Sequence, residues 1–112
     1  MAVGNTVVLK PSEESPLTGG GLWAELFASA GLPPGVLNVV THAPGDAGTL
    51  VEELISNPGV GQINFTGSTV VGHGLAEAAG NQPQSPPVVQ TDNDRWSGGS
   101  TTSCALTANA AQ

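Results

Sequence analysis

The sequence of 112 residues is poor in basic, aromatic and sulfur-containing side chains. Lys10 and Arg95 are its only lysine and arginine, and with nine acidic residues they give a net charge of −7. Nucleic acids and anionic membranes are bound through clustered lysine and arginine, so neither is an expected partner. No apolar run approaches the roughly 18 residues of a membrane span. A single cysteine, Cys104, excludes an internal disulfide framework. We therefore expect a cytoplasmic protein.

Residues 1 to about 80 alternate short apolar runs with amphipathic stretches. The runs predict strands over residues 6–10, 36–40 and 60–66. The stretches between them predict helices that begin after Ser15, Asp46 and Ser68 and end near Gly31, Asn57 and Gly80. This β-α-β-α-β-α order predicts an α/β fold with a parallel sheet and flanking helices.

The first predicted helix has an apolar face. Leu22, Leu26 and Ala30 lie four residues apart, with Trp23 and Phe27 beside them. That spacing predicts a helix face packed against the sheet, with Trp23 in the core.

The hydrophobic patterning of the chain changes after Gly80. Residues 87–89 predict the start of a fourth strand, but the following residues lack hydrophobic periodicity. We therefore divide the chain into a folded domain over residues 1–90 and a divergent, low-complexity tail over 91–112, which we expect to be flexible.

Gly67 and Ser68 form a turn between the third strand and its helix. Backbone N–H groups at a helix start attract anions, Gly67 permits close approach, and the Ser68 hydroxyl can donate a further hydrogen bond. The turn thus suits a phosphate, although glycine and serine are also common in βα turns without a ligand.

Lys10, Ser12 and Glu13 lie at the carboxyl end of the first strand, where open α/β sheets bind ligands. An ammonium and a carboxylate there can hydrogen-bond a ribose diol, and the carboxylate favours NAD over NADP by repelling a 2′-phosphate. The alternative is a solvated pair of charges near a turn.

Three ordered segments resemble the NAD(P)-dependent aldehyde dehydrogenase superfamily: GNTVVLKPSEESPLT (4–18), AGLPPGVLNVV (30–40) and FTGST (65–69). The resemblance covers about residues 3–80 and implies an incomplete Rossmann-like fold. It thereby implies that residues 1–90 are a partial dinucleotide-binding domain. It implies that Lys10 and Glu13, with Ser12 beside them, lie near the adenine ribose. It also implies that Ser68 contacts the pyrophosphate and that Gly67 allows its approach.

The rest of the chain departs from this superfamily. Thr91 stands where the general-base glutamate is expected, and Cys104 lacks the sequence surroundings of the nucleophile. We assign no catalytic residue and no metal site, and we expect the chain alone to be inactive, with sheet edges that favour self-association. Two alternatives remain: a non-catalytic interaction module with a nucleotide-binding-like scaffold, and a shifted reading frame over residues 81–112.

Overall fold

The computed structural model describes residues 1, 4–83, 88–92 and 103–108. Within them the strands are β1 (Thr6–Lys10), β2 (Leu37–Val39), β3 (Val60–Gly67), β4 (Val88–Asp92) and β5 (Ser103–Ala108), and the helices are α1 (Leu22–Ser29), α2 (Ala47–Ser56) and α3 (Thr69–Gly80). A π-helical turn, Leu17–Gly21, leads directly into α1. The predicted alternation of strands and helices is present up to α3, and a fourth strand follows it.

The strands form one sheet in the order β2-β1-β5-β3-β4. β1 is parallel to β2, and β3 is parallel to β4. Because β5 is antiparallel to both β1 and β3, the first four strands all run in the same direction. The α/β fold class is thereby confirmed, with parallel strand pairs and helices consistent with a partial Rossmann-like fold.

Strand β5 was not expected from the sequence, which predicts a flexible tail over residues 91–112. Ser103–Ala108 instead pairs with β3 on one side, and its residues 104–108 pair with β1 on the other. Leu106 is its only large aliphatic residue, so backbone hydrogen bonds to two neighbours place the strand where hydrophobic patterning does not reveal it. Trp96 lies outside the described residues.

The described core lies between β3 and the helices α2 and α3. Ile63, Phe65 and Gly67 alternate along β3 and are buried, as expected for one covered face of a strand. Ile55 from α2 and Leu75 from α3 pack against this face. The core therefore sits on the side of the sheet where α2 and α3 meet.

Helix α1 differs from its prediction, because none of its residues is buried. Trp23 is 50% exposed, and Leu22 and Leu26 are exposed to a similar extent. α1 packs against β2, an edge strand of only three residues, which offers too little sheet surface to cover an apolar helix face. The prediction that Trp23 belongs to the core is therefore wrong; its ring instead contacts that of Phe27, with centroids 6.4 Å apart.

The residues predicted to cap the first two helical segments accept hydrogen bonds there through their backbone carbonyls. The Ser15 carbonyl accepts a hydrogen bond from the Gly19 N–H at 2.8 Å, and the Asp46 carbonyl accepts one from the Leu50 N–H at 3.1 Å. The Asp46 side chain makes no capping hydrogen bond. Both helical segments thus begin where the sequence predicts. No helix in the described part of the chain has the length and hydropathy to cross a membrane.

Gly20, in the π-helical turn, lies against the ends of β1 and β2. A Cβ atom at this position would stand 2.8 Å from Val39 Cγ1 and 2.9 Å from Pro11 Cγ. Carbon atoms normally approach to about 3.5–4.0 Å. The absence of a side chain at Gly20 therefore allows the turn to pack directly on Pro11, next to Lys10.

Candidate functional site

The strand order reverses between β1 and β3. The chain passes from β1 outward to β2 on one side, and from β3 outward to β4 on the other. In open α/β sheets, ligands bind beyond the carboxyl ends of the strands at such a reversal. Lys10 ends β1 and Gly67 ends β3, so both predicted motifs lie at this edge of the sheet, with β5 between their strands.

The Lys10 side chain is held below the surface at this edge. The residue is only 2% exposed. Its ammonium group donates to the Pro11 carbonyl oxygen at 2.9 Å and to His42 Nε2 at 3.2 Å. A buried ammonium requires acceptors of this kind, because burial removes its hydration. The position of the Lys10 charge is therefore set by at least two contacts within the protein.

His42 lies between Lys10 and Glu13. Its Nδ1 atom lies 2.8 Å from the Ala43 carbonyl oxygen and 3.9 Å from Glu13 Oε2, and its side chain is 5% exposed. His42 also lines a groove of about 160 Å³ with five other residues: Pro11, Ser12, Glu13, Pro16 and Thr41. The sequence does not predict this contact, because His42 and Lys10 are separated by 32 residues and no motif links them.

Ser12 and Glu13 differ in their surroundings. Ser12 is buried, and its hydroxyl oxygen accepts a hydrogen bond from the Glu14 N–H at 3.3 Å. The Glu13 side chain is 43% exposed. Ser12 thus stabilises the turn after β1, whereas the Glu13 carboxylate is accessible from the groove.

Ser68 directly precedes α3, and its carbonyl accepts a hydrogen bond from the Gly72 N–H at 3.0 Å. Its hydroxyl makes no capping hydrogen bond, and the first turn of α3 contains no acidic residue. The positive end of the helix dipole is therefore not offset by a carboxylate in that turn.

Gly67 has a packing role that the sequence does not suggest. A Cβ atom here would lie 2.5 Å from Cζ and 3.1 Å from Cε1 of the buried Phe65 ring. The missing side chain makes room for Phe65 on the same face of β3. Packing alone therefore gives a reason for glycine at this position.

A second cavity, which we call the interhelix cleft, separates α2 from α3 and has a volume of about 230 Å³. Lys10 lines it together with mostly apolar residues, among them Val51, Phe65 and Leu75. Gly48 of α2 and Gly74 of α3 also line the cleft, and a Cβ at either would meet no atom within 4 Å. Both positions therefore border open space at the cleft.

The interhelix cleft and the groove adjoin through the contact between Lys10 and His42. Lys10 lines the cleft, His42 lines the groove, and the two nitrogen atoms are 3.2 Å apart. The site thus combines an apolar cleft, the buried Lys10 side chain, the accessible Glu13 carboxylate and, at the end of β3, the N-terminus of α3.

Comparison with known proteins identifies relatives of this sequence. The vanillin dehydrogenase of Pseudomonas sp. strain HR199 is 53% identical over 77 residues, which cover 69% of this chain and 16% of that protein. The benzaldehyde dehydrogenase [NAD(+)] of Pseudomonas putida is 46% identical over 80 residues, 71% of this chain and 16% of the relative. The probable succinate-semialdehyde dehydrogenase [NADP(+)] of Sinorhizobium fredii is 49% identical over 82 residues, 73% of this chain and 16% of the relative.

This chain therefore spans about one sixth of the length of the relatives it matches. The model of the aldehyde dehydrogenase family matches residues 1–90, which include β1 to β3, all three helices and every predicted cofactor-binding residue. The resemblance found in the three sequence segments is confirmed. The chain belongs to the aldehyde dehydrogenase family.

Proposed function

We propose that this chain supplies the dinucleotide-binding part of an enzyme that oxidises an aldehyde to a carboxylic acid with NAD. The observation that carries the proposal is that Lys10 and Ser68 follow the carboxyl ends of β1 and β3 at one edge of the sheet, where Lys10 lines the interhelix cleft. Relatives with aldehyde dehydrogenase names support the reaction class. When bound, NAD supplies the acceptor for the hydride that leaves the aldehyde carbon.

The interhelix cleft fits the adenine of a dinucleotide. Its walls are largely apolar, and Gly48 and Gly74 leave open space between the two helices. A flat aromatic ring buried there gains the free energy of removing apolar surface from water. Lys10, at the margin of the cleft, then lies where a ribose attached to the ring would emerge.

The pyrophosphate would bind at the start of α3. This helix has 12 residues and no acidic side chain in its first turn. Backbone N–H groups and the helix dipole stabilise an anion at a helix N-terminus, and the Ser68 hydroxyl can add a donor. The favourable electrostatics are local, because the chain as a whole carries a net charge of −7.

Glu13 supports NAD rather than NADP as the cofactor. Its carboxylate is exposed in the groove next to the Lys10–His42 contact, where it would accept hydrogen bonds from ribose hydroxyls. A 2′-phosphate placed there would be repelled by the carboxylate. The named relatives include an NAD(+) and an NADP(+) enzyme, so a direct comparison of the two cofactors is the test.

We propose that the chain alone binds the cofactor but does not catalyse aldehyde oxidation. Thr91, the residue at the expected general-base position, lies in β4 and pairs with Thr66 of β3. A threonine hydroxyl does not replace a carboxylate as a general base. Cys104 lies in β5, in register with Lys10 and Phe65, and we assign it no nucleophilic role.

Thermal unfolding of the full chain with and without NAD tests the proposal. Binding to the folded state stabilises it by about 2.7 kcal/mol when NAD is at 100 times its dissociation constant. We expect Lys10→Met and Ser68→Ala to reduce the NAD-dependent rise of the midpoint. Ser29→Ala, on the exposed end of α1, is the matched control and should retain it. An NAD-dependent rise that is the same in all four proteins would contradict the assigned site.

The exposed apolar residues of α1 favour a second candidate, a non-catalytic interaction module. Leu22, Trp23 and Leu26 are each about half exposed, and Leu17 before them is more exposed still. A contiguous apolar surface of this kind is typical of protein contacts. Stabilisation that depends on protein concentration and not on NAD would favour this candidate.

We also propose a cytoplasmic location, which cell fractionation tests.

A further inference from the structure

We infer that His42 is a positioning residue that fixes the Lys10 ammonium for contact with the cofactor ribose. This inference rests on the proposed function, because it assigns His42 a task in the same site. It predicts a particular tautomer of the imidazole ring.

The hydrogen bonds of His42 define that tautomer. The Ala43 carbonyl can only accept, so the Nδ1 atom 2.8 Å from it must carry the ring proton. The Nε2 atom is then left with a lone pair, which accepts from the Lys10 ammonium at 3.2 Å. An ammonium only donates hydrogen bonds, so a proton on Nε2 would leave the contact with Lys10 without an acceptor.

This arrangement restricts a side chain that is otherwise flexible. Lysine has a long stem with about 2 kcal/mol of rotamer entropy, and holding its end in one place loses much of that freedom. At Lys10, the Pro11 carbonyl comes from the next residue and His42 comes from the segment after β2. Acceptors from two parts of the chain fix the ammonium before any ligand arrives, which reduces the entropy lost on binding.

Glu13 remains outside this hydrogen-bond chain. Its Oε2 atom is 3.9 Å from His42 Nδ1, which exceeds hydrogen-bond distance. The Nδ1 proton is directed instead to the Ala43 carbonyl. His42 thus orders the lysine without using the carboxylate, and Glu13 keeps its oxygen atoms for ribose hydroxyls.

Nitrogen NMR on the full chain measures the tautomer directly. The chain has two histidines, and His73 on the exposed surface of α3 serves as the internal reference. We expect His42 to be protonated on Nδ1 and not on Nε2. Lys10 is the only lysine, so its side-chain signal is unique, and we expect it to shift in His42→Leu but not in His73→Leu. Protonation of His42 on Nε2 in the neutral ring would overturn the inference, whatever the chain binds.

Titration with NAD measures the consequence for binding. Loss of one hydrogen bond of ordinary strength predicts about 3- to 10-fold weaker binding by His42→Leu. His42→Gln, whose side-chain carbonyl can accept from Lys10, should recover most of the affinity, and His73→Leu should not change it. Recovery by glutamine separates acceptance of a hydrogen bond from simple filling of space.

The outcomes distinguish this inference from the proposed function. If the unsubstituted chain binds no NAD, the proposed function fails, and the ribose role of His42 fails with it. If the unsubstituted chain binds NAD and the leucine variant binds it equally well, the inference alone is overturned.

Discussion

Replacing Gly20 with alanine tests how closely the π-helical turn packs on the strand that ends in Lys10. The new Cβ would stand 2.8 Å from Val39 Cγ1 and 2.9 Å from Pro11 Cγ. Both distances are about 0.6 Å or more below the usual carbon–carbon approach. Pro11 is fully buried and its ring is rigid, so it has little freedom to move away. Overpacking of this kind costs about 1–3 kcal/mol.

Gly21→Ala is the matched control for this change. Gly21 belongs to the same turn, but a Cβ there would meet only Leu17 Cδ2, at 3.9 Å. Alanine stabilises a helical position by about 1 kcal/mol relative to glycine, and both variants gain this contribution. The difference between their midpoints therefore isolates the clash.

We expect Gly20→Ala to unfold about 5–15 °C below Gly21→Ala, as measured by circular dichroism during heating. Urea unfolding at one temperature should give the same ranking. Equal midpoints, or a higher midpoint for Gly20→Ala, would refute the contact that we assign to Pro11 and Val39.

Three further comparisons between variants test other parts of the molecule. Gly67→Ala should destabilise the chain by about 1–3 kcal/mol, because its Cβ would contact the Phe65 ring. This loss should be smaller in a Phe65→Leu background. If urea unfolding shows that the losses of the two single variants simply add in the double variant, that contact is contradicted. Phe65→Ala should cost about 3–5 kcal/mol, whereas Trp23→Ala should cost much less because Trp23 is half exposed; similar losses would argue against the described core. Gly74→Val should fill the interhelix cleft and weaken NAD binding, measured by titration, more than Gly80→Val at the end of α3; equal affinities would argue against adenine binding there.

The elements up to residue 80 were predictable because local chemistry defines them. Thr6–Lys10 is a β-branched run closed by proline, and its strand has the predicted bounds. Ser15 and Asp46 precede helices whose first hydrogen bonds they accept. Such signals act over a few residues and can be recognised in the sequence without knowledge of the tertiary fold.

The position of α1 relative to the sheet was not predictable in the same way. Its hydrophobic spacing is that of a packed helix, and this local pattern placed Trp23 in the core. Burial depends on the partner surface, and β2 has only three residues. A sequence pattern gives the apolar face of a helix but not the width of the sheet beneath it.

The sequence predicts where the candidate site residues lie along the strands and turns, but not which residues they contact. Lys10 and Glu13 follow from their position at a strand end, and Gly67 and Ser68 follow from the turn into α3. The His42 contact and the interhelix cleft arise from segments far apart in the chain that meet only in the folded state. No local spacing encodes such contacts, so His42 appeared in the sequence only as a histidine without metal-binding neighbours.

The central position of β5 has a consequence for the order of folding. β1 and β3 each pair with residues 103–108, so the contacts that join the two halves of the sheet span up to about 100 residues of chain. Closing such long loops lowers the chain entropy before the contacts form that offset this loss. A high contact order therefore slows folding. During synthesis, the ribosome must release residues 103–108 before the sheet becomes continuous. Until then, the β1–β2 and β3–β4 pairs each expose an edge that β5 later covers, and this interval is when a chaperone or a second chain has access to them.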